Sequence, residues 1–154
     1  MTKEKENLSI RLYDILIEEA AFGIYNLEAL KEEIISLKNQ GAELLWNEKS
    51  LVSVGKSTLD IVVISESPEL LRFVLDEFVV KQKLDINRFN RNSETALDQA
   101  KKIISAKARA EMVQILREYG AKTNKELFAN QRKKSSVQAG KTVLTQAKSE
   151  NREK

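Results

Sequence analysis

Ser93-Glu-Thr-Ala-Leu-Asp-Gln-Ala100 is the stretch that decides how this chain is read, because it recurs. Gly55-Lys-Ser-Thr-Leu-Asp-Ile-Val62 and Gly140-Lys-Thr-Val-Leu-Thr-Gln-Ala147 repeat its pattern. Each copy runs small or turn-forming residue, spacer, Thr or Ser, spacer, Leu, polar residue, any residue, small or β-branched residue. An element recurring every few tens of residues marks a stack of like units, each too small to bury its own apolar face. The spacing is irregular: Asp60 and Asp98 lie 38 positions apart, and Leu97 and Leu144 lie 47 apart.

Working outward from these copies, the flanking sequence reads as helices throughout. Ser9–Gly23 carries an apolar stripe at Ile10, Leu12, Tyr13, Leu16, Ile17, Ala20 and Ala21. Asn26 is placed to cap a second helix striped by Leu27, Leu30, Ile34 and Leu37, with Gly41 as its left-handed stop. Residues 42–54 read as a loop carrying Trp46. Ser57–Ser65 predicts a short helix buried on most of its surface. Ser67-Pro68-Glu69 then joins a cap, a first-turn proline and a first-turn acid, an explicit helix start. Val79–Ile86 reads as helix end plus loop, because Lys81-Gln-Lys83 breaks any strand-like alternation. A third pair is predicted from about Thr95 to Ser105, striped by Leu97, Ala100, Ile103 and Ile104, and from about Ala108 to Tyr119, with Gly120 closing it.

Short helix, longer helix, exposed loop, repeated: the chain resembles the ankyrin-repeat family. Glu94-Thr95-Ala96-Leu97-Asp98-Gln99-Ala100 matches the opening of its unit, and Glu111-Met-Val-Gln-Ile-Leu-Arg-Glu-Tyr-Gly-Ala-Lys-Thr-Asn124 matches the remainder. The resemblance covers roughly residues 9–124 and, weakly, 140–150. It departs at the motif's proline, replaced by Thr58, Ala96 or Val143, and at its histidine, replaced by Asp60, Asp98 or Thr145. Both spacings exceed the roughly 33 residues of a regular unit. The resemblance implies an all-α, ankyrin-like solenoid of about three helix pairs plus a terminal half-unit. Residues 1–8 are expected as a flexible N-terminus, 9–124 as the repeat domain, 125–139 as a basic linker and 140–154 as a terminal half-repeat or tail.

Composition narrows the chemistry. The 154 residues contain no Cys and no His, which removes disulfides, thiolate nucleophiles, imidazole bases and most transition-metal sites. No cofactor or metal is expected, and no enzyme activity. Residues 1–124 hold 18 Lys and Arg against 20 Asp and Glu, whereas 125–154 hold eight against three. The mixed-charge start, Met1-Thr-Lys-Glu-Lys-Glu-Asn7, is unlike a secretory signal, and apolar runs such as Ile61–Ile64 are too short for a bilayer. These features predict a monomeric cytoplasmic chain with no membrane partner.

Gly55-Lys56-Ser57-Thr58 superficially matches the end of a phosphate-binding loop, but Ser50 stands where the motif needs Gly and no strand precedes it. Adjacent acids such as Glu18 and Glu19, Glu32 and Glu33, or Asp76 and Glu77 splay around a helix rather than converge. Asp60 and Asp98 sit inside the octapeptide, where a carboxylate bonds backbone near a helix start. Lys81, Lys83, Arg88 and Arg91 surround Phe89, suited to an acidic protein surface and poor in the aromatic ladder of a nucleic-acid binder. The expected function is non-enzymatic protein–protein recognition as a scaffold or adaptor. By resemblance, contact falls on loop tips and the shorter helices, which maps to Trp46, Lys49, Ile61, Ile64, Arg88, Phe89, Arg91, Gln99 and Lys102. The alternatives are a bacterial effector delivered into a host cell, working through the same surface, and weak nucleic-acid binding through the basic loop and tail.

Overall fold

Among the described residues, six helices begin on a side-chain oxygen that takes one of the backbone N–H groups every helix start leaves open. The computed structural model describes residues 2–48 and 55–129. Thr2 caps α1 (Lys3–Phe22), Asn26 caps α2 (Leu27–Gln40) and Ser57 caps α3 (Thr58–Ile64). Ser67 caps α4 (Pro68–Val74), Thr95 caps α5 (Ala96–Ala100) and Ser105 caps α6 (Ala106–Glu118). The described residues contain helices, turns and loops and no strand. None of these helices is long and apolar enough to cross a membrane.

The chain divides into two compact units, Met1–Thr123 and Asn124–Lys154. Within the first, helices lie in two rows. α1 packs on α3 and α3 on α5; α2 packs on α4 and α4 on α6. Contacts of α1 with α2, α3 with α4 and α5 with α6 join the rows in pairs. One continuous core fills the space between, and the octapeptide leucines Leu59 and Leu97 lie in it fully buried beside Leu70, Leu71, Phe78 and Met112. α3 is so short and so enclosed that six of its seven residues, Thr58 to Val63, are buried.

Several predicted boundaries move. Residues 3–8, read as a flexible N-terminus, belong to α1, because the Thr2 hydroxyl accepts the Lys5 N–H at 3.2 Å and Glu4 and Glu6 suit a first turn. The extension has a use: Ser9 donates to the Lys5 carbonyl and accepts the Glu43 N–H at 2.8 Å, tying the loop after α2 to α1. α5 ends at Ala100 rather than near Ser105, so Ile103 and Ile104 lie in a turn and not on a helical stripe. α4 continues as a π-helix over Leu75–Val80, and the wider turn lets Leu75, Phe78 and Val79 all bury. Of the second unit, residues 124–129 are described and are helical; Lys, Glu, Leu and Ala there favour helix. The third octapeptide and the rest of 125–154 lie outside the described residues.

Two helix ends follow their glycines. Gly41 has φ 116°, and the Ala42 N–H reaches back to the Leu37 carbonyl at 2.9 Å. Gly120 has φ 90°, and the Ala121 N–H reaches Leu116 at 2.9 Å. Both are left-handed stops that a side chain resists.

Because Leu97 is fully buried where α5 meets α3 and α6, Leu97→Ala is expected to destabilise the first unit by about 2–5 kcal/mol. In a row where each helix touches only its neighbours, the loss is expected to lower the melting of the whole unit in one transition. Calorimetry of the variant checks this.

Candidate functional site

The two described octapeptides fold into the same device. In each, the third residue caps the helix and the sixth returns a carboxylate to the cap's own N–H, a reciprocal capping box. The Asp60 Oδ2 accepts the Ser57 N–H at 2.9 Å, and the Asp98 Oδ2 accepts the Thr95 N–H at 2.9 Å. The boxes are then stitched to neighbouring turns. Thr58 exchanges two bonds with Leu45, 2.8 Å through its N–H and 2.9 Å through its hydroxyl oxygen. The Thr95 hydroxyl donates to the Lys122 carbonyl at 2.6 Å. Tyr13, from α1, donates to the Lys56 carbonyl at 2.7 Å.

Asp60 does one thing more. Its Oδ2 also accepts the Asn90 side-chain amide at 2.8 Å, while Asn90 Oδ1 accepts the N–H groups of Asn92 and Glu94. One carboxylate therefore fixes both the start of α3 and the turn leading to α5. Asp60 is fully buried and its Oδ1 has no hydrogen-bond partner. Burial raises its pKa above the ordinary range, and the bonds from Ser57 and Asn90 and the charge of Lys56 only partly offset it.

Asn87, in the turn after Ile86, is bonded to the turn after α6. Its amide donates to the Gly120 carbonyl at 3.2 Å and its oxygen accepts the Lys122 N–H at 2.7 Å.

Between α3 and the turn after α5, a groove of about 300 Å³ opens. Ile64, Glu66 and Lys56 form one wall; Gln99, Lys102, Ile103 and Ile104 form the other. The two walls are wired together. Lys56 Nζ donates to Gln99 Oε1 at 2.8 Å, Gln99 Nε2 donates to Glu94 Oε1, and Lys102 Nζ donates to Glu94 Oε2. Burial pushes the Glu94 pKa up, but the Lys102 and Gln99 bonds outweigh it and hold the carboxyl below its usual range. Ile104 stands 95% exposed at the rim and Ile64 38%. Arg109 Nη1 donates to the carbonyls of Ile103 at 2.9 Å and Ile104 at 3.5 Å, pinning the backbone that presents Ile104.

The sequence-expected contact residues separate into three sets. Ile64, Gln99 and Lys102 meet in this groove, although Gln99 is mostly enclosed and reaches it through its bonds to Lys56 and Glu94. Trp46 and Ile61 are core residues, which takes them out of a partner's reach. The Arg88 guanidinium lies over the Trp46 ring, 5.1 Å from its centre, while the residue stays exposed to solvent. Arg91 is exposed and Phe89 is half-buried on the far turn, and Lys49 lies outside the described residues. Of the cations once grouped with them, Lys81 is held by Glu77. Lys56, Glu94, Ile103 and Ile104 were missed as site residues. The signal was present: Ser105 caps α6, which leaves 101–104 outside both helices.

Among the described residues no acidic cluster is arranged to hold a metal ion. Compared with known proteins, the chain matches no family model, and no curated protein or solved structure matches it significantly.

The pH behaviour of Asp60 yields a test. A carboxyl whose folded pKa is raised stabilises the fold below its unfolded pKa, and that contribution is lost as pH rises through the folded value. Above the raised pKa the wild type carries a buried charge at a cost. Asp60→Asn is expected to melt at or above wild type at a pH above that value, with the advantage vanishing as the pH falls through it. Asp60→Ala is expected to destabilise on both sides of it, by about 1–3 kcal/mol for each buried donor left unpaired. Thermal melts of both variants across pH check the signs.

Proposed function

We propose that this chain is a non-enzymatic protein-recognition module, built as a short, divergent ankyrin-like solenoid. Support comes from the two rows of helices joined in pairs, with the capping box of one octapeptide at the start of α3 and of the next at the start of α5. A stack of this kind grows by repeating a unit and leaves one long face free for a partner. On that face lies the observation that carries the proposal: a groove with exposed isoleucines on pinned backbone and a charged, hydrogen-bonded wall. A rigid apolar anchor ringed by polar groups is the composition of an interface centre. Preorganisation spares the ordering cost that a loose loop would incur on binding.

A photo-crosslinking residue at position 104 tests the proposal, with the same residue at exposed Gln114 as the control. In lysate, adducts to a small set of proteins are expected from position 104 and not from 114. Equal labelling from both sites, or none from 104, contradicts it.

A further inference from the structure

We propose that the groove between α3 and the α5–α6 turn takes an acidic segment of a partner protein, seated by an apolar side chain on Ile64 and Ile104. This rests on the protein-recognition proposal above and adds the chemistry of the partner. The α5–α6 turn and the start of α6 read Lys101-Lys-Ile-Ile-Ser-Ala-Lys-Ala-Arg109, four cations with no acid. Lys101, Lys102 and Lys107 are exposed, and of these Lys102 alone forms an ion pair among the described residues, with Glu94. Arg109 spends its guanidinium on the turn carbonyls. The wall beside Ile104 is therefore positive toward solvent, with Lys102 and Arg109 held by internal bonds and Lys101 and Lys107 exposed beside them.

Charge also orients the occupant. Glu66, exposed on the opposite rim, sits at φ 59° in the turn after α3 and has no ion pair among the described residues. A carboxylate laid beside it is repelled. The bound segment thus turns its acids toward Lys101, Lys102 and Lys107 and its apolar side chain into the space between Ile64 and Ile104. The same exposed isoleucine beside lysines suits an anionic bilayer at first sight. Two observations favour the peptide. The isoleucines line a concave groove of about 300 Å³, a shape that takes a single side chain and that a flat lipid surface does not fill. The corresponding turn of the first pair, which exposes Phe22 and Tyr25, is flanked by Glu18, Glu19 and Glu28, and an anionic bilayer meeting both turns is repelled there.

The test is selection of random displayed peptides on the full chain. One enriched peptide is then titrated by fluorescence anisotropy against wild type, Ile104→Glu and Lys101→Glu/Lys102→Glu. Enriched peptides are expected to carry Asp or Glu flanking a large apolar residue. Affinity is expected to fall at least about tenfold in each variant while melting temperatures hold, and to weaken with salt. Enrichment of basic or neutral peptides, or acidic peptides whose affinity both variants retain, overturns the partner chemistry and leaves protein recognition standing. Binding to phosphatidylserine vesicles that Ile104→Glu abolishes, with no peptide enriched, overturns it in favour of lipid. No adduct from position 104 together with no enriched peptide removes both proposals.

Discussion

The first unit depends on the bonds that close each helix start and then reach across to the neighbouring turn. Asp60 is the centre of this arrangement. Its Oδ2 receives the Ser57 N–H, which completes the α3 cap, and the Asn90 amide, which sets the turn into α5. An α-helix of five or seven residues has little stability of its own, since nucleation costs more than so few internal bonds return. α3 and α5 exist because their first turns are satisfied on both sides and their leucines are enclosed. Cap and packing act on the same residues, so neither is separable from the stack.

The burial of Asp60 has a price that a neutral residue would avoid. A carboxylate without water and with one oxygen unpartnered is costly, and the raised pKa is the measure of it. What Asp60 supplies is a bond that ties the start of α3 to the turn leading into α5. Thr95 and Asp98 make the equivalent box farther along, but Asp98 is only half-buried, and the link onward there runs through the Thr95 hydroxyl to Lys122. The same octapeptide thus makes two different inter-unit joints. Where Asp60 ties to a side-chain amide, the second copy ties to a backbone carbonyl.

The parts of the fold legible in the sequence were those fixed by local chemistry. Asn26, Ser67-Pro68-Glu69, Gly41 and Gly120 mark helix ends through caps and left-handed turns, and each does so in the structure. Leu59 and Leu97 were legible because the octapeptide repeats them at one place in each unit. The remainder turns on tertiary neighbours. The mixed-charge start of α1 carries no apolar signal before Leu8, and it is helical because Thr2 caps it and Ser9 binds the loop at Glu43. Trp46 reads as an exposed loop aromatic until Arg88, more than forty residues later, closes over it. Ile104 has the spacing of a core stripe, and only the end of α5 at Ala100 turns it to solvent. Site residues suffered most, because exposure is decided by what packs alongside and not by residue type.

The groove follows from the same constraint. Ending α5 early frees four residues before the Ser105 cap, and Arg109 holds them so that Ile104 faces out. The short helix that the capping box makes possible is thus what creates the candidate surface. A double-mutant cycle of Asp60→Ala and Asn90→Ala in denaturant unfolding tests the central joint most directly. If one carboxylate couples the α3 cap to the turn of the next unit, the two losses are non-additive by about 1 kcal/mol or more. Losses that add within about 0.5 kcal/mol would show that the two residues act independently and that Asp60 does not couple the α3 cap to the turn into α5.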